Sequence, residues 1–358
     1  MLLRELRRHA GRLAIVGFAG HSVPAELRQL AAEFDLGGVI YFARNVVEPR
    51  QVAELSREVA ALAVDWPLWI SVDQEGGRVA RLKRPFTEWP PAMTLGRSGS
   101  ETLAERFAAA LAAELVAVGI TLDYAPVLDV HTNPKNPVIG DRALAEEAGL
   151  AARLGSAVVR GLQQAGVAAC GKHFPGHGDT SRDSHEELPI VDHDRRRLDA
   201  VELVPFRAAI AAGVATLMTA HVLVPALDDQ PASLSAKIVT GLLKQALGFD
   251  GVVLSDDLGM KAISASSSLP DATVAAIEAG CDAVLLCNSP IDDQVAALEA
   301  VIRAAESGRL SATRIDDALG RQQRVKARFR APARPRPGLE VVGCAEHQAV
   351  AEEMAAFR

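Results

Sequence analysis

The sequence predicts an α/β fold, a (β/α)8 TIM barrel in a single domain with a C-terminal helical extension. Short apolar runs alternate with amphipathic stretches eight times, the pattern of a parallel sheet whose crossovers are helices. The 358-residue length accommodates eight such units, as barrels of this kind commonly need about 250 residues or more. Charged and polar residues follow one apolar run after another, as expected where barrel strands end and sites assemble. A doubly wound open sheet shares the alternation, and the order of elements alone does not exclude it.

The strands are read at Leu13–Phe18, Gly38–Phe42, Leu68–Val72, Thr121–Ala125, Val167–Gly171, Thr216–His221, Gly251–Ser255 and Ala283–Cys287. Each is an apolar run of strand length. The helices between them are read at Pro24–Phe34, Pro49–Ala63, Glu101–Val118, Ala145–Gln164, Asp199–Ala212, Ser235–Leu247, Ala272–Ala279 and Asp292–Glu306. They carry Ala and Leu at helical spacing with charges on the other face. Beyond Gly308, Ser311 is placed to cap one further helix. Pro332, Pro335 and Pro337 then break the chain, and Ala345–Phe357 reads as a last helix. Residues 1–330 are therefore assigned to the barrel and 331–358 to an extension packing on it.

Composition narrows the function. A hydrophobic fraction of 49% supplies a large core, and 23% charged residues is ordinary for a water-soluble domain. Net charge −7 gives no electrostatic reason for a nucleic acid or anionic membrane partner, and 4% aromatic residues leave little to stack on bases. Cys170, Cys281, Cys287 and Cys344 are thinly spread, with Cys170 and Cys281 beside apolar runs, where free Cys packs as a small hydrophobe. The first nine residues carry charges where a secretion signal needs an apolar run. No uncharged apolar stretch approaches membrane-spanning length. A reduced, cytoplasmic protein is expected.

The richest chemistry lies at Gly171–His185, with a Lys, three His and two Asp directly after an apolar run. Elsewhere Asp73-Gln74-Glu75-Gly76-Gly77-Arg78 and Arg81 follow the third strand, and Asp129, Asn133, Asn136 and Gly140-Asp141-Arg142 follow the fourth. His221, Ser255-Asp256-Asp257 and Asn288 end the last three. Such a ring suits a ligand rich in hydroxyls. Three chemistries fit it. Glycoside hydrolysis needs a nucleophile or base opposite an acid; Asp256 suits the first role and His185, oriented by Asp183, the second. Metal-assisted hydrolysis would draw ligands from His173, His177, Asp179 and His185. A sugar-binding barrel without catalysis would use the same ring. Each residue also has a plainer reading. His173 and His177 can simply hold the loop's own backbone, Asp183-Ser184-His185 can be a solvated turn, Asp257 reads as structural, and His193 reads as surface. His9, His21, His131 and His347 are read as structural. The Gly-Gly of the Asp73–Arg81 stretch lacks a phosphate-loop pattern.

At these residues the chain resembles glycoside hydrolase family 3, and more narrowly the bacterial β-N-acetylhexosaminidases of cell-wall (peptidoglycan) recycling. Four motifs in the family's order carry the resemblance: Asp73-Gln74-Glu75-Gly76-Gly77-Arg78-Val79, Asn136-Pro137-Val138-Ile139-Gly140-Asp141-Arg142, Lys172-His173-Phe174-Pro175-Gly176-His177-Gly178-Asp179-Thr180 with Asp183-Ser184-His185, and Ser255-Asp256-Asp257-Leu258-Gly259-Met260. The Asp183-x-His185 element marks the hexosaminidase branch; family relatives that cleave β-glucosides usually take a Glu acid from a second domain.

The resemblance implies that Asp256 is the nucleophile of a retaining reaction, His185 the acid/base and Asp183 its assistant. It implies that Asp73, Arg81, Arg142, Lys172 and His173 bind the sugar, with no metal and no cofactor. The expected substrate is a terminal β-linked N-acetylglucosamine on a muropeptide-like fragment; a phosphorylase of the same family is the runner-up. A small carbohydrate is the expected partner and the chain is taken as a monomer. Gly176, Gly178 and Ser181 are read as freeing the Asp183–His185 loop to move. The chain departs from the family at Ala143-Leu144, where Ala or Ser is followed by Phe. That difference alters packing under Arg142 and leaves its charge unchanged.

Overall fold

In the computed structural model, residues 3–63, 65–184, 186–330 and 337–358 are described. Eight parallel strands close into a barrel: β1 Ala14–Gly17, β2 Gly38–Tyr41, β3 Trp69–Val72, β4 Leu122–Asp123, β5 Ala168–Phe174, β6 Thr216–Thr219, β7 Val252–Asp257 and β8 Ala283–Leu286. Each strand pairs with its successor, and β8 returns to β1 with Ala14 beside Val284 and Ile15 beside Leu285. This closure rules out the open-sheet alternative. Strands in such a barrel are covered on both faces, so they read as continuous apolar runs. Ile15, Ile40, Trp69, Cys170, Met218, Leu254 and Leu285 fill the interior. A larger apolar layer lies between strands and helices.

Local chemistry sets the helix ends. The side chains of Ser100, Glu147, Asp194 and Ser268 each accept a backbone N–H from the first turn of the helix they precede, satisfying donors that the helix cannot. Ser311 does the same for the helix Ala312–Arg330, accepting the N–H of Arg314 at 3.1 Å. That helix closes the amino-terminal end of the barrel. Its Lys326 donates to the carbonyls of Gly37 and Pro67, both at 2.7 Å, and lies against the rings of Trp66 and Trp69. Burial pulls the Lys326 amine well below its ordinary range.

The structure corrects several element boundaries. The expected helix Asp199–Ala212 is two pieces, Arg195–Ala200 and Val204–Ala211. Pro205 has no N–H to continue the first piece and suits the first turn of the second. The expected strand Thr121–Ala125 pairs only over Leu122–Asp123, because Pro126 removes a ladder donor and restrains Ala125. Conversely, β5 runs past Gly171 and carries Lys172 and His173 into the barrel wall. The helices Leu3–Arg12 and Met93–Ser98 are additional.

Between β3 and the helix Glu101–Ala117 the chain forms a two-stranded antiparallel ribbon, Gln74–Gly76 against Val79–Ala80. Gly76 turns it at φ 94, and a Cβ there would stand 2.7 Å from the Pro90 carbonyl. The ribbon therefore lies flat on the Trp89–Pro91 segment. The last helix, Ala345–Ala355, packs on Glu101–Ala117 with Val350, Ala351 and Met354 buried and Arg106 paired to Glu353 at 2.8 Å. Among the described residues, no helix is long and apolar enough to cross a membrane.

Candidate active site

At the carboxyl ends of the strands a cavity of about 290 Å³ is walled by Asp73, Arg81, Arg142, Lys172, His173 and Asp183, with Asp256 also lining it. Its size matches a single sugar ring better than an extended chain, being near the lower bound for small-molecule pockets of about 300 Å³. A larger cavity, about 500 Å³, opens near Trp66, Trp69 and Lys326 at the opposite end. That is the barrel face associated with stability rather than chemistry.

The charged wall is assembled from distant segments. Lys172 Nζ, on β5, donates to Asp73 Oδ1 at 2.9 Å and lies 2.7 Å from Glu75 Oε1. Arg142 grips Glu75 with two parallel hydrogen bonds, both 2.8 Å. Arg81 Nη2 reaches Asp73 Oδ2 at 3.3 Å. Burial alone would raise the Glu75 carboxyl, but the Arg142 and Lys172 cations outweigh it and hold the group well below the ordinary carboxylate range. Burial likewise opposes the charge on Lys172, and Asp73 and Glu75 more than restore it. Glu75 is thus the buried anchor that fixes both cations at the pocket wall.

We expect Glu75→Gln to destabilise the fold by about 3 kcal/mol or more, since it strands two buried cations; urea unfolding measures this. Because the folded Glu75 is depressed below the ordinary glutamate value of 4.5, its contribution is complete above that value and lost as pH falls through the lower folded one. Melting temperature against pH should show the acid loss in the native protein and less of it in the variant.

Behind the wall, Asp129 orients the imidazole of His173. Its Oδ2 lies 2.7 Å from His173 Nδ1, and its Oδ1 accepts the backbone N–H of His177 at 2.6 Å. Burial would raise Asp129, and His173 beside it reverses the direction. The ring of His177 faces the hydroxyls of Thr180 at 2.7 Å and Ser184 at 3.2 Å. Burial, reinforced by His173, lowers it to about 4, so it is neutral at pH 7 and ties the loop together.

Asp256 lies near the carboxyl end of β7. Its Oδ1 accepts the N–H of Asp257 at 2.8 Å. Burial opposes its charge, but His221, His173 and Lys172 keep it below the ordinary aspartate value. A carboxylate held ionised in a pocket is suited to nucleophilic attack. Asp257 is tied to the backbone and to Asn288, accepting from Cys287 N, Gly259 N and Asn288 Nδ2. His221, buried and lowered by that burial, sits between the Ser233 hydroxyl and the Asp257 carbonyl. With a carbonyl able only to accept, His221 Nε2 carries the hydrogen, and the ring braces the peptide beside Asp256.

Asp183 lines the pocket, and its carbonyl accepts the N–H groups of Glu186 and Glu187. His185 lies outside the described residues. Two readings of this loop change. Gly178 supplies closeness rather than freedom: a Cβ would stand 1.8 Å from the Val130 carbonyl. His193 is half-buried and pairs with Asp179, which also accepts from Thr132 Oγ1 at 2.7 Å. Asn136 joins the motifs, donating to the His177 carbonyl at 2.8 Å. Ala143 and Leu144 are buried beside Arg142, whose grip on Glu75 is intact. Of the metal-ligand alternative, His173, His177 and Asp179 are turned to these other partners. Among the described residues no group of three or more His, Cys, Asp or Glu is arranged to hold a metal.

A closed α/β barrel with ionised carboxylates and cations around a sugar-sized pocket is the architecture of a glycoside hydrolase. Residues 5–325 match the family described as glycosyl hydrolase family 3 N terminal domain. The chain belongs to glycosyl hydrolase family 3, within its β-hexosaminidase group. A β-hexosaminidase of Thiobacillus denitrificans is 43% identical over 287 residues, covering 77% of this chain and 79% of that protein. The family 3 β-N-acetylglucosaminidase from Paenibacillus sp. superposes with TM-score 0.94 at 46% identity, over 98% of this chain and 68% of that one. NagZ from Neisseria gonorrhoeae, solved with N-trifluoroacetyl-D-glucosamine, gives TM-score 0.79 at 33% identity over 96% and 97%.

Proposed function

We propose that this chain is a retaining exo-β-N-acetylglucosaminidase that removes terminal β-linked N-acetylglucosamine from muropeptide-like fragments. The observation that carries this reading is Asp256, ionised in a pocket of single-sugar size and ringed by hydrogen-bonding charges. The glucosamine derivative bound by the Neisseria gonorrhoeae protein supports a hexosamine. The choice of muropeptide-like fragments follows the cell-wall-recycling branch that Asp183-x-His185 resembles.

In the first step an Asp256 carboxylate oxygen bonds to the anomeric carbon as the glycosidic C–O bond breaks. His185 gives its proton to the leaving oxygen. In the second step His185 takes a proton from water, whose oxygen displaces Asp256 and frees the sugar. Asp183 orients the imidazole and stabilises its charged form. Asp73, Arg81, Arg142, Lys172 and His173 hold the sugar hydroxyls and acetamido group. Residues 1–330 form the catalytic unit and 331–358 the extension. The four free cysteines, three of them buried, support a reducing, cytoplasmic setting.

The test is hydrolysis of p-nitrophenyl N-acetyl-β-glucosaminide beside the β-glucoside, with the first-formed anomer followed by NMR. Cleavage of the first substrate alone, with β-sugar released first and no sugar phosphate formed in phosphate buffer, is expected. Initial release of the α-anomer, or accumulation of sugar 1-phosphate, would contradict it. The pH profile follows from the same assignments. The depressed Asp256 is already ionised throughout the neutral range, so activity on natural substrates should fall as pH rises and His185 loses its proton. The alkaline limb should vanish in a His185→Ala variant assayed on activated aryl glycosides.

A further inference from the structure

Glu114 lies on the helix Glu101–Ala117 and is buried, outside the lining of the sugar pocket. Its carboxylate collects four donors. Oε1 accepts the Thr87 hydroxyl at 2.6 Å, the Gly343 N–H at 3.0 Å and His347 Nδ1–H at 2.9 Å; Oε2 accepts the Thr87 N–H at 3.1 Å. Two of the donors belong to the C-terminal segment and two to the segment that leads into Trp89. Burial would raise this carboxyl, and the bonds from His347, Thr87 and Gly343 outweigh it.

From Thr87 the contacts continue toward the sugar pocket. Trp89 packs edge-on against Phe107 at 5.1 Å and lies beside the His347 ring at 6.5 Å. The Trp89 carbonyl accepts the Gly77 N–H at 2.8 Å. Gly76 and Gly77 rest so closely on Trp89–Pro91 that neither position has room for a side chain. These glycines turn the ribbon that carries Glu75, and Arg81 leaves from its far strand, fixed by its N–H to Gln74 Oε1 at 2.9 Å.

We propose that the C-terminal segment is a strap that positions the sugar-binding ribbon, with His347 and Glu114 as positioning residues acting through Thr87 and Trp89. This rests on the reading that Glu75 and Arg81 shape the sugar pocket. Among the described residues, the strap's partners Glu114, Arg106 and Trp89 all lie outside the lining of the sugar pocket. Loss of the strap therefore weakens sugar binding and leaves the chemical step in place.

His347→Leu should raise KM for the aryl N-acetylglucosaminide about fivefold with kcat held within about twofold. His347→Asn, whose amide can replace the Nδ1–H donor, should restore KM. Hydrogen exchange supplies a readout independent of turnover: amides of residues 74–91 should exchange faster in His347→Leu and not in His347→Asn, with residues 252–257 unchanged. Unchanged KM and unchanged exchange at 74–91 would overturn the strap. So would a uniform rise in exchange with kcat and KM both impaired and no rescue by Asn, which marks general destabilisation. If the native enzyme cleaves no aryl β-hexosaminide, the functional reading has failed, and the exchange comparison still decides the strap.

Discussion

Asp256→Ala is expected to lower turnover of every β-N-acetylglucosaminide by about ten-thousandfold or more while sugar binding persists. The asymmetry follows from the geometry. Asp256 lies near the carboxyl end of β7, braced by Asp257 N–H and backed by His221. The wall cations are held instead by Glu75 and Asp73. Removing the Asp256 carboxylate takes away the atom that bonds to the anomeric carbon and leaves that ion network whole. Isothermal titration with N-acetylglucosamine should give a dissociation constant within about tenfold of the native value. Near-normal kcat in the variant would move the nucleophile elsewhere.

The second large effect is expected at His185. His185→Ala should reduce kcat/KM on natural disaccharides by about a thousandfold, within the range of general acid–base catalysis. On aryl glycosides whose leaving groups need little protonation the loss should be far smaller in the first step. Equal losses on both substrate types would mean that His185 is not the acid. Asp183→Asn should show the same contrast in weaker form, since it changes the orientation and charge of the imidazole rather than deleting it.

The strand ends were readable because each follows an apolar run. Asp73, Lys172, His221 and Asp256 could therefore be aligned at one mouth before any contact was known. Contacts that join distant segments were not readable. Glu75 meets Arg142 across 67 residues, and Asp129 meets His173 across 44. Asp73-Gln74-Glu75-Gly76 stands out as a motif, but nothing in it tells which distant residue Glu75 pairs with. The pair of His193 with Asp179 is hidden in the same way, because His193 sits in a charged stretch that looks solvated. Glycine misled in the opposite sense: Gly178 looked like a source of motion, while the fold needs it for contact with Val130. Glu114 did leave a signal. It stands among Leu111, Leu115 and Val116 on the buried face of its helix, and a carboxylate in an apolar stripe asks for a partner. Two of its four donors are supplied by a tail without any recognisable motif.

The central claim is that a covalent sugar–enzyme bond forms at Asp256. The most direct measurement is rapid acid quench of the enzyme during turnover of a fast aryl N-acetylglucosaminide, followed by proteolysis and mass spectrometry. One N-acetylhexosaminyl unit on the peptide containing Asp256, absent from the Asp256→Ala variant, is the predicted result. A turning-over enzyme that carries no sugar on that peptide, or carries it on another residue, would contradict the account.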